Sequence, residues 1–138
     1  MLFCEAAFEE RRQKAASLFT ALPDLEDPQL AYILLKHCAS FCKMSYSLRV
    51  VPRDSHVQAL TRFDNDSRRA FAAAVGVHLD DDAWKRARCP VSFAGLGLRS
   101  VEEFSDTTYI SSVASNMNLA HAIDNRRKAD DDDGRTTV

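Results

Sequence analysis

The sequence has no long apolar run and no strong excess of charge of one sign. Its longest candidate, Ala70 to Val77, is well short of the roughly 18 apolar residues that a membrane-spanning helix needs. The N-terminus lacks the basic and then apolar regions of a signal peptide, which predicts an intracellular protein of the cytoplasm or nucleus. The net charge of -2 over 138 residues gives no general attraction to nucleic acid or anionic membranes. Any site for a polyanion must therefore be a local patch.

Motifs for catalysis are also missing. The sequence has no glycine-rich phosphate loop, no nucleophile elbow and no zinc-protease helix. Two aspartate runs, Asp80 to Asp82 and Asp130 to Asp133, could suggest carboxylates that hold magnesium. The first run falls where a helix begins, which explains it as a cap, and the second lies in a polar tail that nothing holds rigid. We predict that the chain is not an enzyme and has no metal site or cofactor.

Cysteine and histidine are few and do not form a clear ligand set. In a reducing compartment the thiols stay free, so the cysteines are interpreted as small core residues. His37, Cys38 and Cys42 could supply three metal ligands, but structural zinc sites usually use loop cysteines at CxxC spacing and need a fourth ligand. Buried packing thiols are therefore the favoured interpretation. The cysteines are Cys4, Cys38, Cys42 and Cys89, and the remaining histidines, predicted at the surface or in loops, are His56, His78 and His121.

The sequence is rich in helical periodicity. A hydrophobic share of 46% and a charged share of 28% are typical of a globular protein, and we predict one helical domain over residues 1–125. The organising element is a helix from Asp27-Pro28 to about Val51, against which the other segments should pack. Its predicted inward stripe recurs at three- and four-residue steps and consists of Leu30, Leu34, Cys38, Phe41, Met44 or Ser45, and Leu48.

The other segments complete an all-α prediction, a small bundle of about four to five helices. The last helix starts with the capping box Ser100-Val101-Glu102-Glu103. The predicted helices are 2–22, 27–51, 55–75, 83–88 and 101–124. The inward residues predicted for the last helix are Phe104, Ile110, Val113, Met117 and Ala120.

Two stretches are predicted to be irregular. Pro90 to Arg99 contains two glycines and should form a tight connection, pinned to the core by apolar side chains. Residues 126–138 are polar, have nothing to bury and are predicted to form a disordered tail. The apolar anchors predicted for the connection are Val91, Phe93, Leu96 and Leu98.

The basic residues are the best local signal for function. Four recur along the central helix and just beyond it, namely Lys36, Lys43, Arg49 and Arg53, and four cluster near the glycine connection, namely Lys85, Arg86, Arg88 and Arg99. Such a set would hold a phosphate backbone, with the backbone amides of the turn from Gly95 to Gly97 as further donors. An ordinary solvated face explains the same residues, and residue chemistry alone favours that alternative.

The order of several short motifs resembles a known family. The most specific are the helix 35–43, Leu-Lys-His-Cys-Ala-Ser-Phe-Cys-Lys, and the turn 90–100, Pro-Val-Ser-Phe-Ala-Gly-Leu-Gly-Leu-Arg-Ser. Around them stand Leu22-Pro23, Asp27-Pro28-Gln29, Arg49-Val50-Val51-Pro52, Phe63-Asp64 and Trp84. The whole, from roughly Phe3 to Ala122, resembles the region that follows the palm in reverse transcriptases of LINE-type (non-LTR) retrotransposons. Ala94-Gly95 stands where such elements usually have two adjacent glycines.

The resemblance implies a thumb-like helical segment that helps to hold template and primer. Its expected partners are an RNA/DNA duplex, a reverse transcriptase palm domain or a second copy of itself. The Tyr/Phe-x-Asp-Asp hairpin that binds magnesium in a polymerase is absent from the sequence, so the resemblance implies a non-catalytic fragment or derived open reading frame. The alternative is a helical protein-protein interaction module, or a relic protein with no present function.

Overall fold

The structure, a computed structural model, describes residues 2–133 and the side chains of residues 4–127. This part of the chain is helical and contains no β-strand, which confirms the all-α prediction. The α-helices are α1 (Leu2–Ala21), α2 (Pro28–Leu34), α3 (Phe41–Val50), α4 (Val57–Val75), α5 (Asp81–Arg88) and α6 (Val101–Asp133). Short 3-10 turns at Leu22–Leu25, Arg53–Ser55 and Val91–Phe93 join them.

The core lies where α1, α3, α4 and the start of α6 meet. Leu60 and Phe63 of α4 are completely buried, and the Phe63 ring packs against Phe19 of α1 with ring centroids 5.4 Å apart. From α3, Met44 and Leu48 close the same core. Burying each such side chain contributes roughly 2–3 kcal/mol. The central position predicted for the segment 27–51 is therefore shared with α4, which also contacts α1, α2 and α6.

The predicted central helix is not continuous. One turn of π-helix, Leu35–Ala39, follows α2, and Ser40 interrupts the helix with φ -90° and ψ -123° before α3 begins. Ala39 and Met44 are both buried although they are five residues apart, because the break at Ser40 lies between them. The buried residues of this segment are Ala31, Leu35, Ala39, Met44 and Leu48. The prediction was correct for Met44 and Leu48, whereas Leu30 and Cys38 are exposed.

Helix α6 buries only its beginning. Val101 and Ser105 pack into the bundle, whereas Ile110 is 64% exposed and Val113 and Met117 are also exposed. The predicted inward face was therefore wrong, because the helix extends past the bundle after its first turns. Its end also differs from the prediction, since the helix continues to Asp133 and no glycine or proline occurs between Val101 and position 134. Residues 126–133 of the predicted tail are thus helical, and residues 134–138 lie outside the described residues.

Several predicted burials are reversed in the structure. Val91 is 63% and Phe93 79% exposed, so Leu98 is the anchor of the connection that is fully buried. The thiols of Cys38, Cys42 and Cys89 are free and exposed, contrary to their interpretation as core residues. His56, predicted at the surface or in a loop, lies in the turn before α4 but is buried there. No helix in the described part of the chain is long and apolar enough to cross a membrane.

Candidate functional site

A cleft of about 700 Å³ opens where the π turn, the connection 90–99 and the start of α6 meet. Three of the side chains that line it are cations: Lys36, Arg88 and Arg99. Phe41 and Phe104 supply an aromatic wall. None of the described residues that line this cleft is a carboxylate. We call it the cationic cleft.

The interruption between α2 and α3 brings residues to this cleft. Lys36 and His37 lie on the π turn, and Phe41 and Cys42 begin α3. Lys36 Nζ donates a hydrogen bond of 3.1 Å to the Tyr32 hydroxyl. π-Helical turns often occur at functional sites, because the extra residue redirects nearby side chains.

One of the three cations lies against the aromatic wall. The Arg99 guanidinium lies over the Phe41 ring, 5.8 Å from its centroid, in a cation-π contact. Phe104 meets Phe41 edge to face with centroids 6.0 Å apart, and 42% of Phe104 is exposed. Arg88 pairs instead with Glu103 at 2.9 Å, which partly neutralises its charge. Lys36 and Arg99 are therefore the main sources of positive potential in the cleft.

A second groove of about 460 Å³ continues from the cationic cleft along α6. The two share Phe41, Arg99 and Phe104. Arg49 of α3 lines the second groove and forms no ion pair within the described part of the chain. The facing side chains of α6 are hydroxyls and one amide: Thr107, Thr108, Ser111, Ser112, Ser115 and Asn116. We call this second groove the hydroxyl groove.

The glycine turn does not supply the free amide donors that the sequence suggested. The Gly95 amide donates to the Pro90 carbonyl at 3.1 Å, and the Gly97 amide donates to the Cys89 carbonyl at 2.8 Å. A Cβ atom on Gly95 would lie 2.0 Å from the Cys89 carbonyl oxygen. Gly95 is therefore needed for the close approach of two backbone segments. Gly97 has a φ of +68° and lines the cationic cleft, but its amide is already bonded.

The remaining predicted site residues lie elsewhere. Arg53 pairs with Glu102 at 3.1 Å and holds the turn 53–55 against α6. Arg86 lines a separate small cavity beside α4, and neither Lys85 nor Lys43 lines either groove. The structure thus groups Lys36, Arg49, Arg88, Gly97 and Arg99 of the predicted set. It separates Lys43, Arg53, Lys85, Arg86 and Gly95 from them.

The residues that sequence reasoning missed are Phe104 and the hydroxyls of α6. The sequence predicts Phe104 in the core, because it is apolar and falls near the start of an amphipathic helix. The buried position is Ser105, whose hydroxyl is satisfied by the Glu102 carbonyl at 2.7 Å. The run of serines and threonines between Thr107 and Ser115 was the available signal, because hydroxyls on one side of a helix mark a polar face.

No grouping of three or more metal-ligating side chains occurs among the described residues. No family model, curated protein or solved structure matches the chain. The resemblance to retroelement reverse transcriptases therefore depends on the motifs in the sequence alone.

Proposed function

We propose that this protein binds nucleic acid at the cationic cleft, as a non-catalytic relative of the thumb region of a LINE-type reverse transcriptase. The observation that supports the proposal most directly is the separation of charge. In a chain whose net charge is -2, Lys36, Arg88 and Arg99 converge on one cleft that no described carboxylate lines. A local positive potential of this kind attracts phosphates even when the whole protein does not.

In this proposal the ligand is an RNA/DNA duplex or part of one. Phosphate contacts from Lys36, Arg49 and Arg99 would provide most of the affinity and little sequence preference. The chain would assist a template and primer without carrying out chemistry. Its partner would be a reverse transcriptase palm domain or the nucleic acid alone, in the cytoplasm or nucleus.

Titration of a labelled RNA/DNA duplex at several salt concentrations tests this proposal. The expected result is a steep negative slope of log affinity against log salt, because bound phosphates release counterions. Lys36→Gln and Arg99→Gln should each reduce the steepness of this slope by about one unit. Lys85→Gln is the matched control, because Lys85 is exposed but lines neither groove.

Two results would contradict the proposal. One is the absence of binding at low salt, where electrostatic affinity is greatest. The other is an equal effect of Lys36→Gln and Lys85→Gln, which would indicate a diffuse charge effect with no site at the cleft.

A second candidate function is protein-protein interaction through α6. Ile110, Met117, Leu119 and Ile123 are all more than half exposed on this helix, and exposed apolar side chains in such number are typical of contact surfaces. Size-exclusion chromatography with light scattering distinguishes the two candidates. A dimer that dissociates when Met117 and Ile123 are changed to glutamine supports the interaction module, and a monomer that binds duplex supports the nucleic-acid site.

A further inference from the structure

The hydroxyl groove extends the cationic cleft along α6. It begins at the shared residues Phe41, Arg99 and Phe104 and follows α6 as far as Asn116. From Phe104 to Asn116 the helix rises about 18 Å. The path therefore has cations at one end, hydroxyl groups along its side and Arg49 on the opposite wall. At its far end the Ser115 hydroxyl already donates to the Ser111 carbonyl at 2.7 Å, so the donors toward a ligand are the hydroxyls nearer Phe104. An extended chain of phosphates fits this combination, because hydroxyls and guanidinium groups both donate to phosphate oxygens.

The exposed ring of Phe104 in the aromatic wall favours an unpaired strand over a duplex. Phe104 is partly exposed at the junction of the two grooves, where its ring can stack on a base. The faces of bases inside a duplex are covered by their neighbours, so that contact requires an unpaired nucleotide. A cleft of about 700 Å³ admits nucleotides of a single strand, whereas a duplex could lie across its opening and reach it only with its backbone.

We infer that the two grooves together form a binding site for single-stranded nucleic acid. One base stacks on Phe104 beside Phe41, and the following phosphates lie along the hydroxyls of α6 toward Ser115. Arg99 holds the phosphate next to the stacked base, and Arg49 holds one further along. This inference rests on the proposed function, because it assumes that the cationic cleft binds nucleic acid, and it specifies the form of the ligand.

Fluorescence anisotropy with the full chain tests the inference. The probe is a labelled oligothymidylate of about 12 nucleotides, a length within the site sizes of known single-strand binders, used alone and annealed to oligoriboadenylate. The expected result is tighter binding of the single strand. Phe104→Ala should weaken that binding roughly tenfold, since one base-aromatic stack is lost, and Phe104→Trp should restore it.

The matched control for Phe104 is Phe93→Ala, because Phe93 is 79% exposed and lines neither groove. The affinity of Phe93→Ala for the single strand should equal that of the unmodified protein.

For the hydroxyl groove, Ser111→Glu places a carboxylate beside the proposed phosphate path and should weaken single-strand binding about tenfold through like-charge repulsion. Ser17→Glu, at an exposed position on α1, should leave it unchanged. Thermal unfolding of each variant identifies any loss due to misfolding, and rescue by Phe104→Trp separates stacking from structure.

The outcomes separate the inference from the proposed function. Equal or tighter binding of the annealed duplex, or unchanged affinity in both Phe104→Ala and Ser111→Glu, overturns the inference and leaves the nucleic-acid function standing. A loss in Phe93→Ala as large as that in Phe104→Ala also overturns it. If neither the single strand nor the annealed duplex binds at low salt, both the inference and the proposed function are overturned.

Discussion

His56 is a buried residue with no hydrogen-bond partner for either ring nitrogen among the described residues. Its ring stacks on Phe8 with centroids 3.9 Å apart. Burial lowers the pKa of His56 below its ordinary value of 6.5, because the imidazolium is poorly solvated there. The unfolded chain then binds a proton more readily than the folded chain. The contribution of His56 to folding stability is therefore full above pH 6.5 and decreases as the pH falls below it.

The first prediction is that His56→Phe stabilises the protein. Phenylalanine keeps the ring stack and removes two unpaired buried nitrogens, so the free energy of unfolding should rise by about 1 kcal/mol at pH 7. The gain should be larger at pH 5, where the unmodified protein has lost stability. Urea unfolding at the two pH values measures both effects. The control is His78→Gln at an exposed position. It retains His56, so its free energy of unfolding should still fall between pH 7 and pH 5.

Ala94 has a left-handed backbone, with φ 58° and ψ 24°. A side chain in this region is strained by about 1–2 kcal/mol, whereas glycine is not. The second prediction is that Ala94→Gly raises the free energy of unfolding by up to about 1 kcal/mol, after the larger entropy of the unfolded glycine is included. Ala73→Gly, at an exposed position inside α4, should lower it by about 1 kcal/mol. Changes of the same sign in urea unfolding would contradict the backbone explanation.

At the scale of the helix, the start of α6 is capped by a residue of another element. Asp64 of α4 accepts hydrogen bonds from the Ser100 hydroxyl at 2.5 Å, the Val101 amide at 2.9 Å and the Glu102 amide at 3.2 Å. The Ser100 hydroxyl accepts from the Glu103 amide at 3.1 Å, which is one half of the predicted capping box. Glu103 does not complete the box, because its carboxylate pairs with Arg88.

The third prediction concerns Asp64. Asp64→Ala should lower the free energy of unfolding by about 2–3 kcal/mol, since it leaves two amides at the helix start without their acceptor. Asp64→Asn keeps one acceptor oxygen and should cost less. Urea unfolding provides the comparison, and Asn118→Ala in the exposed part of α6 is expected to change stability by less than about 0.5 kcal/mol.

The pH dependence gives a separate test of the same residue. Burial raises the pKa of Asp64 above its ordinary value of 3.8, even though the Ser100 hydroxyl bond acts in the opposite direction. The stability contributed by this group is then full below about pH 4 and decreases as the pH rises through the folded pKa. Asp64→Asn cannot titrate. Its stability relative to the unmodified protein should therefore be lower at pH 4 than at pH 7.

The sequence predicts most helix starts because prolines and caps act locally, but it does not reveal the break at Ser40 or the end of α6. Pro28 opens α2, the helix α4 ends at Gly76 with φ 70°, and Asp80 caps α5. The faces of the helices are less predictable, because they depend on the neighbours that the fold supplies. Small Ala31 is buried beside exposed Leu30, since close packing of two helices favours the smaller side chain. Periodicity cannot reveal which helix comes close.

The candidate site was predictable only in part for the same reason. Its cations are visible in the sequence, and the structure gathers Lys36, Arg88 and Arg99 around one opening. Ion pairs between residues far apart in the sequence determine which of these cations remain free to contact a ligand. Arg53 is held by Glu102, 49 residues away in the chain. Such a partner cannot be identified from spacing alone.

For the whole molecule, the fourth prediction is that the far end of α6 contributes little to folding. The described side chains from Met117 to Arg127 are all exposed. A chain that ends at Asn116 should therefore unfold within about 0.5 kcal/mol of the full chain. Circular dichroism during urea unfolding measures this, and a loss of several kcal/mol would show that the distal helix is covered in solution. A chain ending at Glu103 is the contrasting variant, because it also removes the buried Ser105.

The π turn also holds one residue more than an ordinary α-helical turn, because the Ser40 amide donates to the Leu35 carbonyl at 2.9 Å, five residues back. Deleting one residue from Leu35–Ala39 would restore an α-helical turn, and the break at Ser40 would still precede α3. Met44 and Leu48 should therefore stay in the core, whereas the side chains of the turn, Lys36 among them, would change direction relative to the cationic cleft. The fold should tolerate a single-residue deletion in this turn better than one inside α4, where no wide turn absorbs it.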